Sequence, residues 1–255
     1  MKKYTLFVSA IIVSVSLTGV VYANHSWGNY HWARTSNPLT LKLGDGVNTS
    51  AWDAALNLAS QDWSLSSVLN TSVVSSAVNP KTCKATNGRA EVCNSRYGNN
   101  GWLGIAQIWV TGGEHITQGV VKLNDTYFNT SKYNKPEWRN LVMCQEIGHI
   151  FGLDHQDENF NNANLGTCMD YTSDPSQNQH PNQHDYEQLE AMYAHLDSVN
   201  TAKSSVSSLR ARDVDVADRV EWGKEVRKDS KGNGSVYRRN LGNGEEVFTF
   251  VIWAD

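Results

Sequence analysis

The sequence predicts an α+β fold: one block of strands and a few helices, followed by a short β-hairpin tail. Three observations lead there. Residues 39–43 (Leu-Thr-Leu-Lys-Leu) alternate at the two-residue period of a half-buried strand. The chain from Ser50 then switches to helical spacing, with Trp52, Ala55, Leu56, Ala59 and Trp63 on one face. Residues 136 to about 151 carry apolar side chains on both sides, the mark of a buried central helix.

The first strand stops at Gly44-Asp-Gly46, a turn signal. Ser50 opens the first helix, with Asp53 three residues on as a weak capping box. Strand-like stretches follow at 67–78, 103–110 and 116–123. Pro136 suits the first helical position, where its missing N–H costs nothing. Gly152 lets the chain leave that helix in a left-handed turn. Asn, Asp, Ser and Gly make 156–182 a loop. A third helix is expected over 185–196, with Tyr186, Leu189, Met192, Tyr193 and Leu196 on one stripe. The main block is therefore 24–197, with a linker over 198–212. A small β tail over 213–255 turns at Leu241-Gly-Asn-Gly244 and returns through 247–252.

Residues 1–23 have the layout of a secretory signal peptide. Lys2 and Lys3 precede an apolar run from Phe7 to Val21, and small residues lead to Ala23. The expected destination is extracellular or periplasmic, with no membrane span after cleavage. The 22 basic and 26 acidic residues, net −4, gather into no basic cluster, so nucleic acid is not expected as a partner. Nine tryptophans argue against a disordered chain. In an oxidising compartment four cysteines point to two disulfides, Cys83–Cys93 within a polar loop and Cys144–Cys168. The rival reading is a thiolate metal site, but neither pair has Cys-x-x-Cys spacing.

The chemistry concentrates in Cys144-Gln-Glu-Ile-Gly-His-Ile-Phe-Gly-Leu-Asp-His155. Gln145, Glu146 and His149 are polar residues on a buried helix and need a role there. The turn at Gly152 can swing His155 back towards His149. Glu146-x-x-His149-x-x-Gly152-x-x-His155 resembles the zinc-binding signature of the metzincin peptidases, without its first letter. The Glu-Ile-Gly-His and Gly-Leu-Asp-His wording is similar to the matrixin branch. Fourteen residues after His155, Met169-Asp-Tyr171 resembles the Met-turn of that clan. The resemblance covers about residues 38–197, and the tail has no counterpart in it.

That resemblance implies a zincin-like domain with a twisted mixed sheet, an active-site helix and a C-terminal helix. It implies zinc as cofactor and a protein or peptide substrate, hydrolysed by metal-activated water with Glu146 as general base. His149 and His155 would be ligands, and Tyr171 is open between an oxyanion hydrogen bond and plain packing. A monomer is expected.

The chain departs from the signature at its first ligand, where Gln145 stands in place of His. A neutral amide oxygen is a weaker zinc ligand than an imidazole nitrogen. Three readings are open. Gln145 completes the site through its oxygen; or a two-histidine site borrows another group such as Asp154; or the chain is a metal-free binding protein on a peptidase scaffold. His115, His180 and His184 are further imidazoles, for which surface solvation is the simpler account.

Overall fold

The computed structural model describes residues 24–76, 78–203 and 218–254. The expected signal peptide and the linker beyond residue 203 lie outside the described residues. Among the described residues no helix is long and apolar enough to cross a membrane.

The fold is α+β, built on one mixed sheet. In chain order the elements are β1 (His31–Trp32), β2 (Leu39–Gly46), α1 (Ser50–Trp63), β3 (Leu69–Ser75), β4 (Ala90–Ser95), β5 (Trp102–Thr111) and β6 (His115–Asn124). They continue as α2 (Asp125–Phe128), α3 (Pro136–Ile150), α4 (Gln183–Met192), β7 (Lys224–Lys228), β8 (Gly234–Gly242) and β9 (Glu245–Trp253). The sheet order is β3-β2-β4-β6-β5-β9-β8-β7, with β1 beside the start of β6. Strands β3, β2, β4 and β6 run parallel, whereas β5, β9, β8 and β7 are each antiparallel to their neighbours.

Parallel pairing of β2 with β3 needs a crossover, which α1 supplies. Its apolar face is the expected one, with Trp52, Ala55, Leu56, Ala59 and Trp63 buried. Its cap sits one residue earlier than expected: the Thr49 side chain, not Ser50, accepts the Trp52 N–H. Helix α3 packs with α1 on one face of the sheet, in a core with Leu41, Ile108, Val121, Ile147 and Phe250. The opposite face is filled by Cys83, Cys93, Trp102, Trp109, Trp222 and Tyr237. Both expected disulfides are present, Cys83–Cys93 and Cys144–Cys168.

Three features differ from expectation. Strand β4 occupies part of the stretch read as a polar loop, and α4 ends at Met192 instead of running to 196. Its start is firm, because Asn182 and Asp185 form a reciprocal capping box. The hairpin of the tail forms at the expected turn, but β9 pairs along the whole of β5 and so extends the main sheet.

Candidate active site

Helix α3 ends in a Schellman turn. The Leu153 N–H reaches the Gly148 carbonyl and the Gly152 N–H reaches that of His149, at 3.3 and 3.0 Å. Gly152 takes φ +95°, as the turn requires. The reversal sets two things at once. It places the Leu153 carbonyl 2.9 Å from His149 Nδ1, and it brings His155 Nε2 to 2.9 Å from His149 Nε2. A carbonyl only accepts, so His149 Nδ1 carries its proton and leaves a lone pair on Nε2. His155 Nδ1 lies 2.7 Å from Glu158 Oε1, which fixes its ring the same way. Two buried imidazole lone pairs thus face one another.

Gln145 and Glu146 lie on the same stretch of α3 and are almost wholly buried. Gln145 donates through Nε2 to the Cys168 carbonyl at 2.8 Å, and its Oε1 has no partner. Neither carboxylate oxygen of Glu146 has a hydrogen-bond partner. Glu146 lies over Gly104 of β5, where a Cβ would stand 2.6 Å from Oε1, so a side chain there would displace it. Burial pushes the Glu146 carboxyl well above the usual carboxylate range. Burial, and then the neighbouring His155, push the His149 imidazole well below its usual value.

The residues fit a zinc ion. Nitrogen ligands at about 2.0–2.1 Å in a tetrahedral shell stand about 3.3 Å apart, close to the observed separation of the two Nε2 atoms. An orphaned amide oxygen on the preceding turn offers a third donor. Asp154 does not: one of its oxygens pairs with Arg227 of β7 and the other accepts the His155 N–H. Cys144 is occupied by its disulfide to Cys168, the residue before Met169. Met169 itself is buried under α3 against Gly148. His180 is exposed and hydrogen-bonds Asp62, while the His184 ring lies against His25. His115 is not merely solvated: its Nε2 is buried 3.3 Å from an Asp197 oxygen. Sequence reading missed Glu158 and the Leu153 carbonyl, because orienting groups carry no motif of their own.

It also missed what covers the site. Phe250 of β9 stacks on the His149 ring, with centroids 4.3 Å apart and planes 8° from parallel. Tyr171 packs its ring on His155 and donates its hydroxyl to the Val251 carbonyl at 2.8 Å. Glu146 and His149 are each 1% exposed and His155 5%. An extended backbone, the chain's own, therefore lies along β5 with a carbonyl on Tyr171.

The Cys144–Cys168 bridge closes a 24-residue separation and joins α3 to the Met169 turn. Replacing both cysteines by Ala is expected to lower stability by about 3 kcal/mol, measured by denaturant unfolding. A loss under about 1 kcal/mol would mean that packing alone holds the turn.

No protein-family model matches the chain, and no curated protein matches it. Among solved structures, one of myroilysin is similar over 67% of this chain and 98% of its own, at 10% identity and a TM-score of 0.40. A second myroilysin structure gives 69%, 97%, 12% and 0.34 for the same measures. High choriolytic enzyme 1, a hatching enzyme zinc-protease from the medaka fish Oryzias latipes, is similar over 64% of this chain and 94% of its own, at 10% identity and 0.35.

Proposed function

We propose that this chain is a secreted zinc-dependent metallopeptidase that acts on protein or peptide substrates, with Gln145, His149 and His155 as its metal ligands. The observation that carries the reading is the pair of buried Nε2 atoms facing each other at 2.9 Å, with an unpartnered Gln145 oxygen and Glu146 carboxylate buried one turn earlier on the same helix. Zinc held there would supply polarisation of a water and of the scissile carbonyl. The protein's own groups do the rest. Glu146 takes the water's proton and returns it to the leaving amine. The Leu153 carbonyl and Glu158 keep the imidazole protons on the far nitrogens. Tyr171, whose hydroxyl already donates to a strand carbonyl, is placed to hold the carbonyl of a substrate strand.

Phe250 covers His149 and β9 pairs along β5 while Glu146 is buried over Gly104, so a peptide reaches the site only when β9 leaves β5. The same closure favours a second reading, a metzincin-like scaffold that binds without cleaving.

Peptide hydrolysis by the zinc-loaded chain and by Glu146→Gln separates these. The substitution keeps the shape and removes the base, so kcat/KM should fall about 10²–10⁴-fold. Hydrolysis that persists in Glu146→Gln would overturn the assigned mechanism, and none in the wild type at any zinc level would leave the scaffold reading.

A further inference from the structure

A second group of metal-binding side chains sits away from this site, where three distant parts of the chain meet. His31 of β1, His115 at the start of β6, and Asp197 after α4 bring one ligand atom each within 4.8 Å of one another. His195 joins them from two residues before Asp197. Asp197 Oδ1 lies 3.5 Å from His31 Nε2, 3.3 Å from His115 Nε2 and 3.5 Å from His195 Nε2. His195 Nε2 is 3.2 Å from His31 Nε2.

These separations are close to the edge of a tetrahedron around zinc, about 3.3 Å for nitrogen and oxygen ligands. Hydrogen bonds account for only part of them: His195 Nε2 can donate to His31 Nε2 at 3.2 Å, and His31 Nε2 lies at the 3.5 Å limit from Asp197 Oδ1. His31 Nδ1 lies 2.7 Å from the Asn29 carbonyl, so it donates there and leaves Nε2 a lone pair. His115 Nε2 is buried and has no hydrogen-bond partner, although a carboxylate oxygen is 3.3 Å away. Asp197 is oriented by its other oxygen, which accepts the Arg34 N–H at 2.8 Å. Backbone contacts thus orient two of the four groups, leaving His31 Nε2 and Asp197 Oδ1 to face the others, as outer contacts do in metal sites. Next to it, a surface cavity of about 330 Å³ lined by His31, Glu114 and His195 gives an ion a way in.

We propose that His31, His115, His195 and Asp197 bind one zinc ion in a closed, four-ligand structural site. Three imidazoles and a carboxylate leave no open position for water, so this ion would carry no chemistry. It would fasten β1, only two residues long, and the segment after α4 to the beginning of β6.

The test is zinc stoichiometry of the full chain after chelator treatment and re-addition of zinc, alongside thermal unfolding. Two equivalents are expected in the wild type. His115→Ala should retain one and lose most of the zinc-induced rise in unfolding temperature, and His149→Ala should also retain one. His195 is mostly exposed, so His195→Ala leaves the core intact and should weaken this site at least about tenfold. If the wild type holds one equivalent, lost in His115→Ala but kept in His149→Ala, the inference stands and the proposed active-site metal falls. Zinc content and affinity unchanged in both His115→Ala and His195→Ala would overturn it, whatever happens at His149.

Discussion

A disulfide between positions 107 and 249 is expected to reduce peptide hydrolysis to background. Gln107 of β5 and Thr249 of β9 are register partners, and the Gln107 side chain donates to the Thr249 hydroxyl at 2.7 Å. Directly opposed residues in an antiparallel pair have Cα atoms about 4.5–5.5 Å apart, within the reach of a disulfide. The Gln107→Cys/Thr249→Cys chain would hold β9 in place over His149 and Glu146. Local opening of the hairpin, which costs less than global unfolding, would then no longer uncover the site. Each single substitution serves as the control, since it perturbs the pair without linking it. Equal activity in the linked chain and in the singles would mean that substrate enters without moving β9.

Gly152→Ala should be among the most damaging small substitutions in the protein. The residue sits at φ +95°, and a Cβ there would stand 2.0 Å from the Tyr30 carbonyl oxygen. The backbone of the turn must shift, and with it the Leu153 carbonyl on His149 and the approach of His155. A loss of about 3 kcal/mol or more is expected, with zinc affinity falling as well. For a chain of this size that corresponds to a drop of roughly 6–12 °C in unfolding midpoint. Gly232 provides the comparison: its φ is +86°, but nothing lies within 4 Å of its Cβ position. Gly232→Ala should cost only the backbone term, about 1–2 kcal/mol. Similar losses in the two variants would show that the contact with Tyr30 is unimportant.

The candidate site was legible because its parts are local. Gln145, Glu146 and His149 follow helical spacing, and Gly152 announces the reversal that returns His155. Strand β4 was not legible, for a physical reason. Residues 90–94 are all buried, so no alternation marks them, and two of them are the polar Glu91 and Asn94. Their cost is offset by neighbours from elsewhere: Arg89 and Ser76 hold Glu91, and Asn48 and Asp125 hold Asn94. Periodicity finds β5 and β9 but says nothing of which strand each will choose, so the cover over His149 could not be read. The His31–His115–His195–Asp197 cluster was hidden in the same way. Its members come from three distant parts of the chain, and only the His195-x-Asp197 spacing is local.

The pairing of β9 with β5 has a consequence for biogenesis. A chain made from its N-terminus completes β1 to α4, with α3 in place, before the last hairpin exists. Pairing between such distant segments is slow to form. In that interval the sheet ends at β5, ten residues of Trp-Leu-Gly-Ile-Ala-Gln-Ile-Trp-Val-Thr with open backbone groups, a template for any neighbouring strand. Once the hairpin docks, the boundary of the sheet moves to β7, five residues of Lys-Glu-Val-Arg-Lys. Short and charged, that border discourages further addition. The finishing hairpin thus exchanges an aggregation-prone rim for a charged one, and a chain stalled or clipped before residue 224 is expected to be lost to association rather than released with His149 uncovered.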